Sequence, residues 1–176
     1  MTELLSKTGR ILLRPLRLVD AESIAALMTP TISRWLTNFP LPYTAQLAQQ
    51  RLERIREAGI RGQATVLGIE RLTDGAFMGW FGVYRWAEHP IGGLGYWLGE
   101  PYQRSGYMSE AAPLALDVAA SEMKLSSFEA YIHPENEGSL KIANRLGFEP
   151  AGEKFVYASA RDREERCLRF VRDLKS

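Results

Sequence analysis

The 176-residue chain has little of what several classes of protein require. One cysteine, Cys167, cannot form an internal disulfide, and two widely separated histidines give no metal-binding signature. Acidic and basic side chains nearly cancel, and the formal net charge of +1 gives no long-range attraction to nucleic acid or anionic membrane. No apolar run approaches the roughly 18 residues of a membrane-spanning helix. These shortages predict a soluble, cytoplasmic protein without metal, nucleic-acid or membrane partners.

What the chain does contain is enough apolar sequence for a core. Apolar residues make up 45% of the composition, and the length suits a single domain. No linker, internal repeat or low-complexity segment divides residues 1–176, so we predict one domain over that range. Strand-like segments dominate and helix-like segments separate some of them, which is typical of a mixed α/β sheet. The segments with strand character are "RILLRP", "ATVLGIER", "FMGWFGVYRW", "GGLGYWLG", "SSFEAYIHP", "KFVYASA" and "ERCLRFVR".

Capping residues and apolar spacing predict the helices. Asp20 is a candidate N-cap for a short helix, and Thr44 for a longer one that follows it. Apolar residues at helical spacing predict a helix from Tyr107 to Met123. The last helix is predicted between an N-cap at Asn136 and a C′ glycine at Gly147.

The segment "GYWLGEPYQRSGYMSEA", Gly95 to Ala111, predicts a strand, a loop and the start of a helix. Such a loop presents backbone N–H groups at the positive end of a helix dipole, which favours phosphate or pyrophosphate. Gly106 permits close backbone approach, Arg104 supplies charge, and Gln103 and Ser105 supply side-chain donors. A surface turn that merely begins a helix is the alternative. The pattern matches neither the P-loop nor the G-x-G-x-x-G dinucleotide fingerprint.

Four motifs together resemble the GNAT acyl-coenzyme A N-acyltransferases. Gln103-x-x-Gly106-x-Met108 is similar to that family's pyrophosphate loop, although Met108 stands where the family usually has Gly or Ala. "RILLRPLRLVDAE", "GYWLGEPYQRSGYMSEA" and "NEGSLKIANRLGF" resemble segments of the branch that acetylates ribosomal-protein N-termini at alanine or serine. The resemblance implies a V-splayed, mostly antiparallel sheet flanked by helices. It also implies acetyl-coenzyme A as co-substrate, acetyl transfer to a primary amine, and a homodimer.

The resemblance also implies which residues bind the cofactor. Backbone groups of the fourth strand would pair with the pantetheine arm and point at the thioester oxygen, and the loop would hold the pyrophosphate. Side chains of the N-x-x-S helix would flank the pantetheine and reach the 3′-phosphate or adenine; a helix cap and a solvated helix face are the alternatives. The implied set is Tyr96, Trp97, Leu98, Gln103, Arg104, Ser105, Gly106, Tyr107, Met108, Asn136, Ser139, Lys141 and Arg145.

The catalytic groups differ from the family's common pattern. Many members carry a tyrosine acid four residues before the Gly-Phe pair, where this chain has Ala143, so the resemblance implies Ser139 as the proton donor. Relatives often carry a glutamate base at the position of Gly93. Glu88, acting through a water, is our candidate base, and His89 beside it is a further candidate with an exposed loop histidine as its alternative.

The missing base bears on the acceptor. An α-amino group with a pKa near ~8 is about one-tenth neutral at pH 7, whereas a lysine amine near ~10.4 is about one part in a few thousand neutral. A protein N-terminal α-amine is therefore the favoured acceptor. Small amines, amino acids, aminoglycosides and a non-catalytic acyl-coenzyme A sensor are the alternatives. Trp35, Phe39, Tyr43 and Trp86, with Glu88, are predicted to form the acceptor side.

Overall fold

The computed structural model describes residues 3–6, 8–86 and 89–174, which form an eight-stranded sheet and five α-helices. The strands are Leu4–Leu5 (β1), Ile11–Pro15 (β2), Ala64–Arg71 (β3), Ala76–Arg85 (β4), Ile91–Leu98 (β5), Ser127–Ile132 (β6), Glu149–Ala158 (β7) and Arg163–Asp173 (β8). The helices are Ala21–Leu27 (α1), Pro30–Ser33 (α2), Ala45–Ile60 (α3), Tyr107–Met123 (α4) and Glu137–Arg145 (α5).

The strands lie in the order β1-β2-β3-β4-β5-β6-β8-β7. Every neighbouring pair is antiparallel except β5 and β6, which are parallel. A parallel pair needs a crossover connection, and α4 provides it. The predicted mixed α/β class with a mostly antiparallel sheet is confirmed.

Alternation along the strands sends neighbouring residues to opposite faces of the sheet. Phe81 and Phe128 are buried on the face covered by α4, together with Leu116 of that helix. Trp80 is buried on the other face, where α1 contributes Ile24. None of the described helices has the length and apolarity that crossing a bilayer requires.

The sheet opens between its two parallel strands. β5 and β6 are paired from Ile91↔Ser127 to Gly93↔Glu129. Beyond that point the strands diverge, which confirms the predicted V-shaped splay. We call the opening between residues 94–98 of β5 and residues 130–132 of β6, with the start of α5 beyond it, the wedge.

The three predicted N-cap residues all occupy N-cap positions, and two of them cap their helix with a side-chain hydrogen bond. The Thr44 hydroxyl accepts a hydrogen bond from the Leu47 N–H at 3.2 Å, and Asn136 Oδ1 accepts one from the Ser139 N–H at 3.1 Å. Asp20 stands at the N-cap position of α1, as predicted, but its side chain makes no capping hydrogen bond. Its carboxylate turns backward and accepts the Arg17 N–H at 2.8 Å instead of capping α1.

Asp20 turns backward because it pairs with a buried arginine. Arg14 Nη1 and Nη2 lie 2.9 and 2.7 Å from the two Asp20 carboxylate oxygens, and Arg14 Nε lies 2.6 Å from Glu70. Arg14 is only 3% exposed, and hydrogen bonding to Asp20 raises the pKa of its guanidinium. A charge removed from water in this way is tolerated only with its partners in place. The pair fixes the turn before α1 to β2.

We expect Asp20→Asn to destabilise the fold by about 3 kcal/mol, because it leaves a buried guanidinium without its main counter-charge. The free energy of unfolding in urea measures the loss. Glu57→Gln is the matched control: its ion pair with Arg61, at 3.9 Å, is exposed and should contribute at most about 1 kcal/mol. Equal effects of the two substitutions would contradict this view of the buried pair.

Candidate active site

The loop between β5 and α4 leads through two left-handed residues into the N-terminus of a long helix. Arg104 and Gly106 have positive φ, 62° and 84°, and α4 begins at Tyr107 directly after them. The first N–H groups of a helix have no partner within the helix, and they lie at the positive end of its dipole. Gly106 has no side chain to cover them. The loop therefore has the geometry of an anion site.

The loop side chains differ in whether they point into the protein or toward solvent. Gln103 Nε2 donates to the Leu98 carbonyl oxygen at 2.8 Å, so this side chain fixes the loop to the end of β5 instead of pointing outward. Arg104 and Ser105 are exposed, as predicted donors to a ligand should be. Met108 is buried in the core on the α4 face. Its larger side chain is thus directed away from the loop surface.

Arg10 braces the loop, and sequence reasoning missed it. Its Nη2 donates to the Ser105 carbonyl oxygen at 3.1 Å, and its Nε donates to Glu110 at 2.8 Å. Its guanidinium also lies 4.9 Å from the centre of the Tyr107 ring. Arg10 is 95 residues from Ser105 in sequence, so only the pairing of β2 within the sheet brings it here.

The wedge exposes one edge of β5. The Gly99 N–H donates to the Met78 carbonyl oxygen at 2.9 Å, so the peptide groups of Gly99 face β4. Alternation then directs those of Trp97 to β4 as well, and those of Tyr96 and Leu98 into the wedge. Tyr96 and Leu98 are therefore the predicted strand residues whose backbone can reach a ligand there.

The first turn of α5 forms the opposite wall of the wedge. Asn136 caps this turn, and Ser139 is half-buried within it. The Tyr96 hydroxyl reaches across from β5 and donates to the Ser139 carbonyl oxygen at 3.5 Å. Two hydroxyl-bearing residues, Ser139 and Tyr96, thus meet between the walls.

The two basic residues of α5 lie in different surroundings. Arg145 Nη1 donates to the Ser109 hydroxyl at 3.0 Å, which places this guanidinium beside the first turn of α4 and near the loop. Lys141 forms an exposed ion pair with Glu137 at 3.3 Å. The structure therefore brings Arg145, but not Lys141, into direct contact with the loop-bearing helix.

Of the two base candidates, only His89 lies within the described residues. Glu88 lies outside the described residues, and His89 is exposed. At Gly93, the space that a Cβ would need is filled by the Trp86 indole, whose Nε1 lies 2.5 Å from the ideal Cβ position. A larger side chain at this position would displace that ring.

A different carboxylate lies beside Gly93. Glu129 of β6 is its register partner, so the two positions share a face of the sheet. Glu129 is 8% exposed and accepts hydrogen bonds from Arg169 and from the Tyr131 hydroxyl, the latter at 2.6 Å. The Arg169 hydrogen bond in particular lowers the pKa of Glu129. This carboxylate stays charged and is a weak proton acceptor.

The aromatic residues predicted to form the acceptor side fall into two groups, one buried in the core and one at the surface. Phe39 and Tyr43 are buried in the core beneath α1 and α3, so the prediction that they line a pocket is wrong. Trp35 is half-buried and packs against His133 at the end of β6, with ring centres 5.5 Å apart. Trp86 is 43% exposed and packs edge-on against a tyrosine of β6. These two tryptophans remain available at the wedge.

In the described part of the chain, His, Cys, Asp and Glu side chains form no group of three or more suited to a metal ion.

Residues 10–149 match the family model described as an acetyltransferase (GNAT) domain. The chain belongs to the GNAT acetyltransferase family. The resemblance found in the four sequence motifs is confirmed, and the protein is an N-acetyltransferase.

Known relatives agree with this family. The chain is 27% identical over 158 residues to the uncharacterized N-acetyltransferase p20 of Bacillus licheniformis, covering 89% of this chain and 88% of that protein. Mycobacterium smegmatis RimJ, solved with CoA-disulfide, superposes with a TM-score of 0.82 at 20% identity, covering 98% and 86% of the two chains. The ribosomal-protein-S5-alanine acetyltransferase of Vibrio fischeri gives 0.80 at 21%, covering 98% and 97%. At these identities the two solved structures establish the fold of this GNAT protein.

A carboxylate on the loop tests the anion site. We expect Gly106→Glu to weaken coenzyme A binding at least about tenfold, because the new carboxylate would repel phosphate. It would also neutralise the charge of Arg10, whose Nη2 lies 3.4 Å from the position that a Cβ would take at residue 106. Isothermal titration calorimetry measures the affinity.

Gly62→Glu is the matched control, since Gly62 has a similar φ of 65° and lies after α3 with nothing crowding its Cβ position. Both variants carry comparable backbone strain and should lose comparable thermal stability. Coenzyme A affinity that falls equally in both, or in neither, would show that the loop does not hold the phosphates.

Proposed function

We propose that the protein transfers the acetyl group of acetyl-coenzyme A to the α-amine of a protein N-terminus. The observation that carries this proposal is the continuity of the wedge with the loop. The strand whose peptide groups face the wedge, β5, leads directly into the loop that offers N–H groups to an anion. An extended arm bearing amides and ending in a pyrophosphate fits both parts at once.

The reaction is direct attack by a neutral amine on the thioester carbonyl. The Tyr96 or Leu98 N–H, facing the wedge, stabilises the developing oxyanion. The carbon–sulfur bond then breaks, the electron pair stays on sulfur, and the nitrogen loses a proton. Ser139, which the family resemblance implies as a proton donor, lies at the wall of the wedge, where its backbone carbonyl accepts from the Tyr96 hydroxyl.

The acceptor follows from the weakness of the base. Gly93 carries no carboxylate, and the Arg169 hydrogen bond holds the pKa of neighbouring Glu129 below its ordinary value. The described part of the site therefore offers a poor base for an amine with a pKa near ~10.4, and it suits an α-amine that is already about one-tenth neutral at pH 7. Structural neighbours named as ribosomal-protein acetyltransferases support a protein N-terminus.

Two tryptophans beside β6 support the same acceptor. Trp35 packs against His133 at the end of β6, and Trp86 packs against Tyr131 of that strand. A peptide N-terminus can approach between them toward the exposed peptide groups of β5. Cytoplasmic location and a homodimer stay predictions.

Thiol release from acetyl-coenzyme A tests the acceptor. We expect a peptide with a free alanine or serine N-terminus to react roughly 100-fold faster at pH 7 than its N-acetylated form with an internal lysine, following their neutral fractions. Polyamines and aminoglycosides complete the panel. Equal rates for both peptides would refute the α-amine proposal, and tight binding without thiol release for any amine would favour a sensor.

The pH dependence gives a second test. Below about pH 8, kcat/KM for the free N-terminal peptide should rise nearly tenfold per pH unit, and above it should level off as the α-amine becomes neutral. A plateau already at pH 6 would contradict this, since it would require an enzyme group that removes the proton.

A further inference from the structure

We infer that the Tyr96 hydroxyl donates the hydrogen bond, and then the proton, that the departing thiolate requires. This inference rests on the proposed function and adds to it a residue on β5, a strand assigned so far only a backbone role. Ser139, the donor implied by the family resemblance, then serves as part of the wall against which Tyr96 is held.

The Tyr96 side chain is directed to this place by its packing. Its ring stacks on Phe81 with centres 5.1 Å apart and an interplanar angle of 4°, which fixes the direction of the hydroxyl. That hydroxyl crosses the wedge and lies 3.5 Å from the Ser139 carbonyl oxygen. The backbone of the same residue faces the wedge. One residue thus presents a backbone donor to the thioester oxygen and a phenol to the wall beyond it.

The hydroxyl is available for a second partner. A donor–acceptor distance of 3.5 Å is at the outer limit of a hydrogen bond, so little is lost when the proton turns toward a better acceptor. A thiolate is such an acceptor, because hydrogen bonds to charged groups are stronger than those to neutral carbonyls. The Ser139 carbonyl oxygen is then the partner of the Tyr96 hydroxyl only while no thiolate is present.

The chemistry favours a phenol over an aliphatic hydroxyl. Burial raises the pKa of Tyr96 to about 12, so the group stays protonated through the physiological range and always presents a proton. In the transfer, the carbon–sulfur bond breaks, its electron pair remains on sulfur, and the proton passes from Tyr96 Oη to sulfur. The phenolate recovers a proton from the newly acylated nitrogen through water. The enzyme is unchanged over the cycle.

Tyr96→Phe removes the hydroxyl and keeps the stacked ring. We expect kcat to fall about 100-fold, while the dissociation constant of acetyl-coenzyme A changes no more than about twofold. Tyr84→Phe is the matched control, since Tyr84 is a half-buried tyrosine of neighbouring β4 that packs on the other face of the sheet. It should leave both constants unchanged. Ser139→Ala should lower kcat less than Tyr96→Phe does.

A spectroscopic measurement separates chemistry from structure. If Tyr96 donates to the thiolate, the thiol pKa of bound coenzyme A should be about one pH unit lower in wild type than in Tyr96→Phe. The ultraviolet absorbance of the thiolate reports this value during a pH titration, after subtraction of the unloaded protein. The measurement requires no acceptor, so it does not depend on which amine is used.

The outcomes are distinguishable from failure of the proposed function. Wild-type protein that releases no thiol with any amine refutes the proposed function. Wild-type activity that survives in Tyr96→Phe, together with an unchanged thiol pKa of bound coenzyme A, refutes the role of Tyr96 alone. A lower kcat without a shift in the thiol pKa makes Tyr96 a structural residue and also overturns the inference.

Discussion

The site depends on one interruption in the hydrogen bonding of the sheet. β5 and β6 pair only as far as Gly93↔Glu129, after which the peptide groups of Tyr96 and Leu98 face an opening. Backbone polar groups in an interior require partners, so this opening suits a ligand that itself carries amides. The loop and α4 follow β5 directly, so in the proposed reaction one chain segment would supply the strand edge, the oxyanion donor and the anion site.

Small residues and the crossover hold the two strands together only at one end. A Cβ at Gly92 would lie 2.5 Å from Val83 of β4, 2.7 Å from Leu125 after α4 and 3.1 Å from Phe128 of β6, so these side chains pack over β5 there because Gly92 has none. Beyond Gly93 the first turn of α5 lies across the gap, capped by Asn136. The Tyr96 ring stacks on Phe81, and its hydroxyl reaches across the wedge to the Ser139 carbonyl oxygen.

Local signals in the sequence predicted the elements well, since capping residues and apolar periodicity act within a few positions. α4 was predicted from Tyr107 to Met123 and is found over that range, and the loop before it is where the motif indicates. What the sequence could not show are contacts set by strand register. Arg14 binds the Asp20 carboxylate and keeps it from capping α1. Arg10 donates to the Ser105 carbonyl oxygen from the other end of the chain, and Glu129 lies beside Gly93. Each contact joins residues on different elements, so no local pattern records it.

The described residues offer strong hydrogen-bond donors for the leaving thiolate but only a weak proton acceptor for the attacking amine. This difference bears on the choice of acceptor. On the proposed leaving-group side, backbone donors of β5 and the protonated Tyr96 phenol lie close together, and hydrogen bonds to developing charge are strong where water is excluded. On the amine side, Glu129 is held by Arg169 and Tyr131, so its affinity for a proton is reduced. An enzyme so arranged gains most from amines that lose their proton without help. Because α-amines meet that condition near neutral pH and lysine side chains do not, this asymmetry supports the proposed α-amine acceptor.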